Sequence, residues 1–281
     1  MFAEVSKLGS TTEQLHREST LVRELLGSGV TALGKAGCAD NLGNYYVAFF
    51  GISNGIERLA KLILVADHAI KNNGALPAGK IISRYGHNIS QLLEKISTIS
   101  FEYNLEQVCA RPIDSFSNSI IEYLEFFMDA KRGRYANFKT PPYTNTPTNS
   151  EPIELWWTKI AIPILNAHYL GSKTENKVRK KADWDAQEFG GKTFVLRVNE
   201  LGKIMTDLKT VILWEGQSPT VQKYGRFYTL RVVRWLAIVF NALCHLGGYQ
   251  YNIASLIEHG SLFTEYRGSD RDLEHYKKWP S

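Results

Sequence analysis

The chain has 281 residues, a formal charge of +5 and 44% apolar residues, enough for a sizeable core in one large domain or two ordinary ones. Three cysteines, Cys38, Cys109 and Cys244, lie far apart with no CxxC pair, which excludes a disulfide framework or zinc knuckle and favours a reducing, cytoplasmic setting. Residues 1–138 carry 14 basic and 14 acidic side chains and residues 139–281 carry 19 and 14, so the basic excess lies in the second half.

The N-terminal MFAEVSKLGSTTEQLHRE lacks the apolar core of a secretion signal. Helical patterning begins at residues 11–36, where Gly27 and Gly29 weaken the middle of a first helix. Between residues 44 and 70, Ile52, Ile56, Leu59, Ile63 and Ala66 recur at helical spacing, with Glu57 and Lys61 as a favourable i, i+4 pair. Residues 82–96, ISRYGHNISQLLEKI, set an arginine and a histidine before an amphipathic helix striped by Ile89, Leu92, Leu93, Ile96 and Ile99. A further stripe is Ile113, Phe116, Ile120, Leu124 and Phe127, ending at the glycine of KRGRY.

The segment KTPPYTNTPTNSEP, residues 139–152, cannot continue a helix or pack a core and marks a boundary. A helical region, residues 153–281, follows it. Pro163 is expected to kink or break the helix ELWWTKIAIPILNAHYL. After a charged stretch, Val198, Leu201, Met205, Leu208 and Ile212 step by 3 and 4 as one helix, and residues 218–248 and 250–266 supply two more. Residues 227–248 are long and apolar enough to span a bilayer, but Arg231 and Arg234 argue for a buried helix with ion-paired arginines and no membrane partner. The fold class is all-α.

Three segments of the first half, SNGIERLAKLILVADHAI, GHNISQLLEKI and FFMDAKRGRYANF, together resemble the HEPN superfamily over residues 40–138. The resemblance implies a HEPN-like helical bundle over residues 1–138, usually dimeric and so a homodimer here. It also implies a place in bacterial toxin–antitoxin, phage-defence or RNA-processing systems. Many members are metal-independent ribonucleases with four to six residues between an arginine and the histidine that follows it; others keep the bundle as a binding or oligomerisation module that meets RNA or a protein partner. None of the seven histidines here has that spacing: two residues separate Arg84 from His87, and three separate Arg271 from His275.

Two chemistries therefore compete for the first half. In one, His87 is a general acid or base and Arg84 a phosphate clamp near a helix N-terminus. In the other, Asn88 and Gln91 form a capping box and His87 precedes the cap. The basic–aromatic segment with Arg132, Arg134 and Tyr135 suits single-stranded RNA, or simply complements a helix C-terminus. Lys180 and Lys181 share a helical face with Lys177 and Trp184, a polyanion contact or a solvated face. No phosphate loop, dinucleotide fingerprint, HExxH or GxSxG occurs, so no metal and no cofactor is expected.

Overall fold

The computed structural model describes residues 2–37, 41–129 and 151–280, with side chains described from residue 12 onward. Helix α1 (Phe2–Leu33) runs unbroken through both glycines and packs antiparallel on α2 (Gly43–Lys71). Glycine is required where they cross: a Cβ at Gly29 would lie 2.8 Å from the Ile52 backbone nitrogen, and one at Gly51 would lie 2.8 Å from the Leu25 carbonyl oxygen. The helix-weakening effect of Gly29 is thus offset by backbone contact that any side chain would prevent.

The predicted stripe of α2 is buried throughout, from Ile52 to Ala66. After short α3 (Gly79–Arg84), α4 (Ile89–Glu102) buries Ile89, Leu92, Leu93, Ile96 and Ile99 against α2. Helix α5 (Ser115–Met128) corrects the sequence reading at its start. Asp114 is its N-cap, accepting from the Ser117 N–H at 2.9 Å, so Ile113 precedes the helix and is 80% exposed.

Beyond the segment around residue 139, most of which lies outside the described residues, α6 (Pro152–Trp156) continues through a π turn (Trp157–Ala161) into α7 (Ile162–His168). Pro163 does not break this helix. The wide turn ahead of it leaves it in the first turn of α7, where its missing N–H does not matter. Helix α8 (Lys173–Phe189) starts at Ser172, whose hydroxyl accepts from the Glu175 N–H.

The helix predicted through residues 198–212 is the main correction. Strands β1 (Arg197–Val198) and β2 (Ile204–Met205) form an antiparallel hairpin, and α9 (Leu208–Glu215) begins only after its cap, Asp207. The turn decides this. Asn199 Oδ1 accepts from the Leu201 and Lys203 N–H groups, and Gly202 has φ +70°, a conformation no helix contains.

Helix α10 (Ser218–His245) ends in a π turn (Leu246–Gln250). The helix expected over 250–266 is instead two sets of 3₁₀ turns, Ala254–Leu256 and His259–Arg267, because Asn252 (φ 55°) and Glu258 (φ 70°) interrupt it. Helix α11 (Asp270–His275) closes the fold behind a Ser269–Asp272 capping box.

Helices α2 and α10 form the centre, and the 3₁₀ turns, α1, α5 and α7 pack around α10. Residues on both sides of the 139–152 segment share one core. Phe49, Tyr123 and Trp156 meet with ring centroids 4.8 to 5.2 Å apart. A polar chain reinforces it: Trp157 Nε1 donates to the Tyr45 hydroxyl at 2.8 Å, and Tyr45 donates at 3.3 Å to Glu200. Trp214 Nε1 donates to the other oxygen of Glu200 at 2.6 Å.

The apolar 227–248 segment lies in α10 and the π turn after it, and the span from α9 to that turn, apolar enough to cross a membrane, is mostly buried inside the protein. Its arginines are ion-paired as expected, Arg231 with Asp114 at 2.9 Å and Arg234 with Asp270 at 2.6 Å. Arg226 was not anticipated. It is only 4% exposed, and its guanidinium covers Gly34 just past the C-terminal end of α1, where the helix dipole favours a cation.

Candidate functional site

Gly86, at φ +79°, turns the chain between α3 and α4. Asn88 then caps α4, its Oδ1 accepting from the Gln91 N–H at 2.8 Å while its Nδ2 donates to Glu125 of α5. Glu125 also accepts from the Ser90 hydroxyl at 2.6 Å and the Ser90 N–H at 3.3 Å. The start of α4 is therefore fastened to α5, and His87 immediately ahead of it is held over α2.

There His87 Nδ1 lies 2.9 Å from Glu57 Oε1, and Lys61 Nζ donates to the same oxygen at 2.7 Å. The Glu57 side chain is 9% exposed and the His87 side chain 84% exposed. Lys61 Nζ is also 3.5 Å from His87 Nδ1; in the tautomer that carries a proton on Nδ1, His87 donates to Glu57 and turns Nε2 outward. One helical step from Glu57, Arg58 Nη1 donates to Glu18 of α1 at 2.6 Å.

These groups line a cleft of about 950 Å³ bounded by α1, α2, α3, α5 and the end of the α3–α4 turn. Among the described residues its charged lining is Glu18, Glu57, Glu125 and Asp129 against Arg58 and Lys61. Leu15, Leu62, Val65, Leu76, Ile82 and Met128 give it an apolar floor. The arrangement offers an oriented imidazole base, one arginine in the same cleft, and an acid-rich rim over apolar surface.

Of the candidates read from sequence, His87 lines this cleft. Arg84 stands at the exposed end of α3, off the lining, with no ion pair or hydrogen bond among the described residues. Lys180 and Lys181 are on α8, Lys181 paired with Asp185, and neither lines the cleft. Arg132, Arg134 and Tyr135 lie outside the described residues. The sequence reading missed Glu18, Arg58 and Glu125, and treated Glu57 only as a partner of Lys61. Its signal was present: Glu57 interrupts the apolar run of α2, directly after Ile56 and two residues before Leu59.

Among the described residues no group of three or more histidine, cysteine or acidic side chains is placed to hold a metal ion. No known protein family, no curated protein and no solved structure matches this chain.

Proposed function

We propose that this protein is a HEPN-like helical binding module whose cleft takes a basic, amphipathic segment of a protein partner. The observation that carries this reading is the lining itself, which among the described residues sets four carboxylates against Arg58 and Lys61 above an apolar floor. Such a surface attracts lysine- or arginine-bearing apolar segments and repels a phosphate chain. The bundle family, the homodimer and the defence or toxin–antitoxin setting rest on the resemblance of residues 40–138. RNA, the other partner which that resemblance suggests, fits the cleft less well on charge.

A labelled amphipathic peptide of leucine and lysine tests the reading by fluorescence anisotropy. It is expected to bind, and Glu57→Gln and Glu125→Gln are each expected to weaken it by about tenfold or more. Binding indifferent to both substitutions, or matched by a leucine–glutamate peptide, would sink the proposal.

A second reading is favoured by one observation: His87 shares its cleft with Arg58, an arginine from another helix. In a metal-independent ribonuclease, Nε2 of His87 would take the ribose 2′-hydroxyl proton while Arg58 steadied the phosphate. RNA cleavage in excess EDTA, lost in both His87→Ala and Arg58→Ala but kept in Arg84→Ala, would make the protein this enzyme.

A further inference from the structure

The hairpin that replaces the predicted helix exposes a sheet face with no partner. Phe194 is 90% exposed, Leu196 62%, Val198 51% and Ile204 66%. The register sets Ile204 directly opposite Val198 on one side of the hairpin, and Phe194 and Leu196 lie in the segment that leads into β1. The opposite face carries Arg197 and Met205, and Met205 is buried, so the hairpin sits on the protein by that face and turns its apolar face outward. On α8, which packs against α9, Trp184 is 58% exposed and meets Phe189 edge-to-face at 5.8 Å.

Charge around this face is not balanced. Arg179, Lys181, Lys209 and Arg197 are ion-paired, with Glu175, Asp185, Asp183 and Glu215. Lys177, Lys180, Lys192 and Lys203 are exposed and have no ion pair among the described residues; Glu188 and Asp207 stand against them. The surface therefore combines projecting apolar side chains, an exposed tryptophan and unpaired lysines, and neither the cleft nor a smaller cavity of about 280 Å³ at the end of α10 includes any of them.

We propose that this face docks on an anionic phospholipid surface. The apolar tips of the hairpin enter the boundary between headgroups and acyl chains, Trp184 lies at headgroup level, and the lysines meet lipid phosphates. Other occupants fit less well. A single-stranded nucleic acid could stack on Phe194 or Trp184 but would leave Leu196, Val198 and Ile204 without an apolar partner. A second copy would set the same lysines against each other. Because α10 is buried, the contact is peripheral, which departs from the sequence-based expectation of no membrane partner.

Co-sedimentation of the full chain with vesicles tests this. Wild type is expected to pellet with phosphatidylcholine–phosphatidylglycerol vesicles and to remain largely in solution with phosphatidylcholine alone. Phe194→Asp combined with Leu196→Asp, at exposed positions where the fold has little to lose, should weaken partitioning more than about tenfold. Lys180→Glu with Lys192→Glu should weaken it by at least about fivefold per lysine. An unchanged melting curve for each variant shows that the loss belongs to the surface.

Failure of wild type to pellet overturns the proposal, as does pelleting that F194D/L196D leaves intact. Two further outcomes also overturn it in favour of another occupant. One is self-association broken by F194D/L196D without vesicle binding; the other is tighter capture by a single-stranded RNA oligonucleotide than by anionic vesicles.

Discussion

At the scale of single residues, Glu200 ties the hairpin to the core. It is 3% exposed and serves the Trp214 indole N–H and the Tyr45 hydroxyl. Burial raises its pKa above the ordinary carboxylate value, although the hydrogen bonds from Trp214 and Tyr45 pull the other way. Glu200→Ala strands both donors in the interior and is expected to cost about 1–3 kcal/mol by chemical denaturation. Glu200→Gln keeps an acceptor and removes the titration. A carboxyl whose folded pKa is raised holds its proton more tightly when folded. Its contribution is full below the unfolded value and is lost as pH rises through the folded one. The melting temperature of Glu200→Gln should therefore gain on wild type as pH rises from about 4, where the unfolded carboxyl begins to ionise while the folded one still holds its proton. A constant difference would mean that Glu200 does not titrate differently in the fold. Glu57 breaks the apolar run of α2 and Glu200 has no such mark, but the partners of both were unreadable from sequence, for one reason. Periodicity marks which positions face inward, but not which inward-facing carboxylate finds donors from distant helices.

At the scale of elements, the contact between α1 and α2 depends on absent side chains. Gly29→Val is expected to destabilise the protein by about 1–3 kcal/mol, because its Cβ meets the Ile52 backbone, which cannot move aside as a side-chain tip would. Gly79→Ala, with nothing within 4 Å of the added carbon, serves as the control and should be near neutral. Equal midpoints in a denaturant titration would show that the helices can separate at no cost. The same scale explains where the sequence was legible. Stripes such as Ile89 to Ile99 are long, regular and bounded by a cap, so period and burial agree. Val198, Leu201 and Met205 mimic that period across a hairpin. There Asn199 and Gly202 outweighed the apolar spacing, as Asp114 did when it set the start of α5 and left Ile113 outside. The cleft was legible only in part: Gly86, His87 and Asn88 announce a helix entrance, whereas Glu57 and Glu125 reach it from other helices.

At the scale of the whole molecule, the sharing of core residues across the proline-rich segment has a consequence for the folding unit. Trp156 packs on Phe49 and Tyr123, Gly225 of α10 faces the Trp156 ring, and α10 lies against α1, α2 and α5. Residues 1–138 expressed alone would leave the α10-facing side of α2 and α5 in water, an apolar area far larger than a soluble monomer exposes. That fragment is expected to aggregate, or to bind a hydrophobic dye and melt without a cooperative transition. In the intact chain, far-ultraviolet circular dichroism and tryptophan fluorescence should report the same midpoint. Trp156→Ala should lower both together, by about 3–5 kcal/mol of stability. A fragment 1–138 that melts cooperatively would instead make the first half an independent bundle, with α10 a dispensable cover. The cleft would then persist without the second half, since its lining among the described residues comes from residues 14 to 129. Repeating the peptide titration on that fragment would separate the two cases: affinity retained means a self-sufficient module, and affinity lost means that α10 holds the helices that shape the site.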